Sequence, residues 1–596
     1  MFNIILCIAM NKVLILLLNV FLYSSFIPVS GKALKENSNE FYFDVKQTPF
    51  SCYGSYMSLI ARHDKRKQTE LLELNDMSGR VNVGNKNILC IELMDGDYLT
   101  PVYYKGTPIE LLGESKKGGI SIYFENPRVL HFYLKEADLH LSGDWKNSVL
   151  HNVSSEYANT YVIGNKNIVL TVKKGKVKYH NNNFQLIREE GVLDIVLEQY
   201  YDLWFPSHYT EERDVSLERL CKEYEEWEKK IPTVAEKYQK GRKLASYINW
   251  SSVYEPRDYI KRHGMAMSKK RMNRIWSWDH CFNAMGLMYH NPDLSWDQFM
   301  FPFDHQDTKT GALPDAVSAK YMILDYVKPP IHGWALSHLL KHYTPHKDEL
   351  IIAYERLVKW TNFWFTCRDV NSNGLPEYNH GYDSGWDNGT NMDVGFPVEG
   401  ADLVAFLIFQ MDELAKLAVK VSQPKDAVMW KKKSEVLMKK MIKELWDGNK
   451  FITRMIKTRA VNEKSQSLMS YLPIILGKKL PESIRNEMIS NLKKEGYLLT
   501  SHGLATESPQ STFYQSEGYW RGPVWAPTTL IIADGLRACG EIELAKIIAE
   551  RFCDTCIAAS CFAENFDAVS GKPLRDSSHT WTTSVFLVFA HDYLCE

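Results

Sequence analysis

The sequence predicts a two-part protein, an antiparallel β-sandwich followed by an all-helical domain, and three observations predict it. Apolar residues recur with a period of two up to about Tyr201 and with three- and four-residue spacing after it, the signatures of half-buried strands and of helix faces. A chain of 596 residues with 45% hydrophobic content is too long for one small core and too apolar to be disordered, so more than one domain is expected. Aromatic- and acid-rich loops interrupt the helical half at intervals and concentrate polar chemistry there.

The chain opens on a hydrophobic leader. From Met10 it reads MNKVLILLLNVFLYSSFIPVSGKA, with a lysine, an apolar run Val13–Leu22, and small residues near Ser30 and Gly31. The run is short of the roughly 20 apolar residues that span a bilayer. Residues 1–31 are therefore expected to be a cleaved signal peptide, with Met10 a candidate true start and the mature protein secreted or periplasmic.

Residues 32–205 are expected to form the sandwich. Ile120, Ile122 and Phe124 alternate with polar residues, as do Leu130, Phe132 and Leu134. Ile168, Leu170 and Val172 lead through KKGK to Val177 and Tyr179, the pattern of a hairpin. No paired acids or histidine clusters stand at a recognisable spacing here, so a packing or substrate-guiding role is expected.

Residues 206–236 read as a linker containing a helix over Leu217–Lys230, and residues 237–596 as the helical domain. Leu403, Leu407, Met411, Leu414, Ala418 and Val421 lie on one helical face. Similar runs cover Glu349–Phe365, Asp426–Leu445, Ser465–Leu476, Pro523–Ala538 and Ile542–Ala559. With shorter candidates this gives about a dozen helices, joined by alternately short and long connections. If the long connections share one end of a barrel, the aromatic and acidic loops meet at one mouth.

Lys plus Arg number 71 and Asp plus Glu 72, so the chain lacks the electrostatic footprint of a nucleic-acid or anionic-membrane binder. Its 16 Trp and 32 Tyr offer flat apolar faces with hydrogen-bonding edges, which suit sugars. The cysteines are scattered rather than arranged as a disulfide framework, and Cys553 and Cys556 lie in a helical run with no second pair at zinc spacing.

The stretches WSWDHCFNAMG, TGALPDAV, KPPIHGWAL, GLPEYNHGYDSGWDNGT, YWRGPVW, ENFD and HTWTTSVFL follow one another from about Trp276 to Leu587. In this order they resemble glycoside hydrolase family 63, the inverting α-glucosidases and mannosylglycerate hydrolases, with trehalases as more distant relatives. The resemblance implies an (α/α)6 barrel behind an N-terminal β-domain. It places the general acid on Asp387 and the general base on Glu564. Inverting hydrolysis needs two such carboxyls roughly 6.5–9.5 Å apart, with space for a water. Trp386 would help desolvate Asp387 and raise its pKa. Asp383 and Asp567 are the rivals in the same two loops, and any of the four also fits a turn or a solvated loop.

The family pattern further implies sugar-binding roles for Trp278, Asp279, Gln306, Asp315, Lys328, His332, Trp334, Glu377, Trp386, Trp520, Arg521, Trp525 and Trp581. His332 reads equally as a core histidine, and Trp334 and Trp581 as core packing. Asp369, Asn371 and Asn373 precede Gly374 at alternate positions, like the front of a calcium loop without its bidentate twelfth residue. Some family members bind calcium near this loop, so a structural Ca²⁺ is expected, and no cofactor is expected for the chemistry.

The expected function is an exported inverting α-glycosidase, in the first place an α-glucosidase acting on α-linked gluco-oligosaccharides. The alternatives are a mannosylglycerate- or trehalose-type hydrolase, a carbohydrate-binding protein without catalysis, and a lyase of acidic sugars. The two occupied acid positions oppose the second of these, and the near-neutral charge opposes the third.

Overall fold

In a computed structural model describing residues 41–65, 69–79, 87–145, 149–151, 159–180 and 183–595, period-two alternation builds two antiparallel sheets. The leader expected over residues 1–31 lies outside the described residues. The larger sheet runs Phe43–Asp44, Tyr103–Gly106, Glu110–Glu114, Gly119–Asn126, Val129–Lys135, Val192–Gln199, Ile168–Lys174, Thr160–Ile163, Val149–His151. The smaller runs Lys176–His180, Asn183–Ile187, Asp138–Ser142, Asn87–Asp95, Thr69–Asp76, Met57–Asp64, with Tyr98–Leu99 beside Asn87–Asp95. Ile120 faces Leu134 and Ile122 faces Phe132 across one ladder, and all four are fully buried, so this face forms the sandwich core.

The hairpin expected around KKGK is not formed. Ile168–Lys174 pairs with Val192–Gln199 in the larger sheet, whereas Lys176–His180 pairs with Asn183–Ile187 in the smaller one. The segment crosses between sheets. Gly175 turns the chain at φ 128°, where a Cβ would lie 2.6 Å from Leu193, so only glycine fits. Alternation tells which face a residue takes; it does not name the partner strand.

Helix Arg213–Lys230 leads into the second domain. Six helical segments there form an inner ring: Asp279–Leu287, His332–His342, Ala401–Lys420, Leu468–Lys479, Ala526–Cys539 and Thr580–Asp592. Each packs on the next and the last packs on the first. Gln239–Ser251, Pro292–Met300, Lys347–Cys367, Pro424–Leu445, Glu482–Leu492 and Ile542–Ala559 pack around them. The result is an (α/α)6 barrel. The patterning explains the layers: every residue of Asp279–Leu287 is buried, whereas Pro424–Leu445 buries one stripe and turns most of its lysines to solvent. The helix expected over Ser465–Leu476 is a 3-10 segment instead, kinked at Gly477, and Pro473 within it has no N–H to continue an α-helical ladder.

Connections from inner to outer helices are short, at 288–291, 343–346, 421–423, 480–481 and 540–541. Those from outer to inner are long, at 252–278, 301–331, 368–400, 446–467, 493–525 and 560–579. Every long connection ends at the N-terminus of an inner helix, so all six open at one end of the barrel, where the helix dipoles are positive. No helix among the described residues is long and apolar enough to cross a membrane.

Candidate active site

The loop before Asp387 is held by its own polar groups. Asp383 accepts hydrogen bonds from the Val327 N–H at 3.1 Å and the Asn379 N–H at 3.0 Å, and Arg368 lies 3.6 Å away. Its carboxylate is therefore spent on architecture, which removes it as a rival to Asp387. Two glycines let the loop close. A Cβ on Gly381 would sit 2.1 Å from the Asp387 carbonyl oxygen, and one on Gly385, at φ 73°, would lie 2.6 Å from the Trp278 ring.

Asp387 emerges half-buried in a group of charges. Burial raises its pKa, Lys328 opposes the rise and Asp315 adds to it. Asp279 is raised further, by burial first and then by Asp315 and Asp387, with Lys328 again opposing. The Lys328 ammonium lies 2.9 Å from Asp315 and donates to the Tyr382 carbonyl at 2.7 Å. Burial works against its charge, but Asp315, Asp387 and Asp279 outweigh burial and raise it. Burial and the neighbouring carboxylates thus favour a proton on Asp387 and Asp279, and the single ammonium of Lys328 only partly offsets them.

Glu564 enters from the last long connection, 6% exposed. Its pKa is raised to about 7 by burial and then by Asp576, while a hydrogen bond from Tyr519 pulls the other way. The Tyr519 hydroxyl donates to Glu564 at 3.1 Å. That phenol also feels the charges of Asp387 and Asp279, so it stands between the two acid loops. Asp567 is no competitor: one carboxylate oxygen accepts from the N–H groups of Val569 and Ser570 and the Ser570 hydroxyl, and the other accepts from Tyr514.

Five tryptophans back this group. Trp520 stacks on Trp525 with centroids 4.0 Å apart and lies 4.9 Å from Trp386. Trp278 reaches Trp520 and Trp581 at 6.2 and 6.0 Å. All five are buried, with much of their surface spent on one another. The Trp525 indole donates to the Tyr519 carbonyl at 2.9 Å, which fixes the phenol. Arg521 stands nearby, donating to the Asn388 carbonyl and ion-paired with Asp393.

The remaining expected residues each have partners outside this group, although Gln306 Oε1 and His332 Nε2 are buried without one. Gln306 donates both amide hydrogens to backbone, at Gly311 and Arg356. His332 is fully buried and accepts from the Trp360 indole at 3.2 Å, a core position. Trp334 is buried and donates to Asp534 at 2.7 Å, with Phe282 and His338 beside its ring. Both sit in the first turn of an inner helix, where successive residues point about 100° apart and so meet different surroundings. Glu377 is fully buried and accepts from the Val370 N–H.

Glu377 belongs instead with the calcium-like loop. Asp369 accepts from the N–H groups of Asn373 and Gly374, and Asn371 and Asn373 both reach Glu399. Burial raises Glu377 to about 7, Asp369 and Glu399 add to this, and one of its oxygens is buried without a partner. An oxygen-rich set with an orphaned carboxyl oxygen fits a hard cation; Arg454 already neutralises part of Glu399. Among the described residues the one compact group of metal-capable side chains is His280, Cys281 and His332. It lies in the core, where burial lowers His280 to about 3 and Cys281 contacts the His280 ring at 3.5 Å.

Tyr519, Asn388 and Asp576 were not among the residues expected from sequence. Asn388 joins two loops by accepting from the Trp520 N–H and donating to the Gly518 carbonyl, both at 3.0 Å. Tyr519 and Asn388 lie directly beside Trp520 and Asp387, so adjacency within a motif was the available signal.

The model of the mannosylglycerate hydrolase MGH1-like glycoside hydrolase domain matches residues 272–582. The chain belongs to this family, within glycoside hydrolase family 63. It is accordingly a glycoside hydrolase, and the residues just described lie within the matched span. A glucosylglycerate hydrolase of Mycolicibacterium hassiacum is 21% identical over 412 residues, covering 52% of this chain and 91% of the relative. A mannosylglycerate hydrolase of Thermus thermophilus is 20% identical over 396 residues, covering 52% and 93%. Among solved structures, the family 63 mannosylglycerate hydrolase of Thermus thermophilus in complex with glucose superposes with a TM-score of 0.51 at 17% identity, over 58% of this chain and 99% of that one. A bacterial glucoamylase complexed with acarbose superposes with a TM-score of 0.58 at 10% identity, over 96% of this chain and 97% of that one. At these identities the likeness is one of fold, and the second extends it to the β-domain.

Proposed function

We propose that this glycoside hydrolase cleaves a hexosyl glycerate of the mannosylglycerate or glucosylglycerate type with inversion, using Asp387 as general acid and Glu564 as general base. The observation that carries it is the pair of carboxyls from separate loops on either side of Tyr519. The names of the curated relatives move the reading away from the gluco-oligosaccharide substrate expected first. Asp387 passes its proton to the glycosidic oxygen as the C1–O bond breaks. Glu564 takes a proton from a water attacking C1 from the opposite face. Both protons re-equilibrate with solvent after product leaves. Asp279, Asp315 and Lys328 would bind sugar hydroxyls, and the tryptophans would shape and dry the pocket floor.

Asp387→Asn and Glu564→Gln are each expected to lower kcat by about 10²–10⁴-fold or more with the fold intact by circular dichroism. Near-wild-type rates in either would sink the assignment. Assays on mannosylglycerate, glucosylglycerate and α-linked di- and trisaccharides, with proton NMR of the first anomer released, test substrate and stereochemistry together. Turnover confined to the saccharides, or release of the α-anomer from an α-linked substrate, would reject the reading.

Two further proposals concern the whole chain. A Ca²⁺ held by Asp369, Asn371 and Asn373 would be structural: chelation should lower Tm, and calcium rather than magnesium should restore it, whereas an unchanged Tm counts against it. The Met10–Ala33 leader supports export, and a mature N-terminus near Gly31–Leu34 by mass spectrometry is the expected result; an intact Met10 in the cytoplasm would count against it.

A further inference from the structure

We infer that Arg575 recognises a carboxylate on the leaving group and so sets the preference for acidic over neutral aglycones. This rests on the reading of the site as a glycerate-glycoside hydrolase. The guanidinium lies 5.2 Å over the ring of Tyr519, the phenol that donates to Glu564. It donates to the Glu517 carbonyl at 3.3 Å. The next carbonyl along that loop, Gly518, accepts from Asn388, the residue that follows Asp387. Arg575 is therefore tied to the loop that carries Tyr519, and through Gly518 and Asn388 to the loop that carries Asp387.

The side chain is exposed, and among the described ion pairs none involves it. Its charge is close enough to Glu564 to pull that carboxyl's pKa down. Glu517 and Glu564 feel this charge without closing a direct ion pair on it, and a guanidinium offers two parallel N–H groups to an incoming carboxylate. Its backbone points the same way: Arg575 is held at φ 67°, and Tyr519, on which it stacks, at φ 66°. Such strain in non-glycine residues persists where the surroundings over-determine it, and it clusters at ligand clamps. The neighbouring lysine differs. Lys572 is paired with Glu517 at 2.7 Å, so its charge is already answered.

A carboxylate two bonds from the glycosidic oxygen, as in a 2-O-linked glycerate, would stay close to Asp387. The matching glycerol glycoside has the same sugar and linkage and lacks only the charge. The comparison therefore isolates the group that Arg575 would read.

The experiment measures kcat/KM of wild type, Arg575→Gln and Arg575→Lys on the glycerate glycoside and on its glycerol counterpart. Wild type is expected to prefer the acid, and Arg575→Gln to shrink that preference by about 10- to 100-fold, the worth of a charge-assisted hydrogen bond. Arg575→Lys should recover part of it, since it keeps the charge and loses the fork. If Arg575→Gln lowers both substrates alike, or leaves the ratio as in wild type, the assignment of Arg575 is overturned while the proposed activity stands. Should wild type cleave neither glycoside, the functional reading fails and this inference fails with it.

Discussion

Tyr519 bonds one of the two acids and feels the charge of the other, and its hydroxyl tempers how the bonded one titrates. Burial raises Glu564 to about 7, and the phenol's hydrogen bond favours the ionised carboxylate. As a base Glu564 must be ionised, so activity should fall as pH drops through about 7. Tyr519→Phe removes a bond to the charged form, so the carboxyl's pKa should rise and the acidic limb of the kcat/KM–pH profile should move to higher pH. A limb that stays in place or moves down would contradict the role of either group. At this scale the family motif put the acid on Asp387 and the base on Glu564, with Asp383 left as a rival in the same loop. Only folding showed that Asp383 is spent on the N–H groups of Val327 and Asn379.

The loop between Lys347–Cys367 and Ala401–Lys420 depends on glycine at two close approaches. A methyl group on Gly381 would push against the carbonyl of Asp387 itself. Gly381→Ala should therefore displace the acid and lower kcat by about 100-fold, the size of effect expected when a reacting group moves by about 1 Å. Steady-state kinetics beside a thermal melt would check this, and unchanged kcat would show that the loop absorbs the methyl elsewhere. Gly385→Ala adds a left-handed φ to the contact with Trp278, costing about 1–2 kcal/mol from the backbone alone, so its Tm should fall as well. The elements themselves were largely legible from helical spacing. Their packing rank was not: Trp334 and His332 stand in a matched loop motif yet point into the core, because one helix turn presents both directions.

Across the whole molecule, Lys269 fastens the sandwich to the barrel. Its ammonium, 3% exposed, donates to the carbonyls of Cys52, Ser55 and Val253 and to the Ser51 hydroxyl. Tyr247 adds a second tie, accepting from the Ser51 N–H and donating to the Pro49 carbonyl. Lys269→Met strands several of these acceptors and should destabilise the protein by about 1–3 kcal/mol or more, since an unsatisfied buried polar group costs that much. Burial lowers the Lys269 amine to about 7, and an unfolded lysine titrates near 10.4. Between these values the unfolded chain binds a proton that the folded chain has released, so this residue makes stability rise with pH across that window. Urea melts from pH 7 to 10 should show a steeper rise for wild type than for Lys269→Met; parallel curves would place the titration elsewhere.

The sequence by itself determined the succession of β-domain and helical domain, the alternation of short and long connections, and the two loops that carry Asp387 and Glu564. These follow from period, turn chemistry and motif, all of which are local in the chain. The tertiary structure alone decided which strands pair around Gly175, that Tyr519 bonds Glu564 while feeling the charge of Asp387, that His332, Trp334 and Gln306 find partners in core side chains and backbone, and that Arg575 stands exposed over Tyr519 without a direct ion pair. Each of these depends on residues far apart in sequence competing for the same hydrogen bonds and the same space, and that competition is settled only when the barrel closes and brings six distant loops to one end.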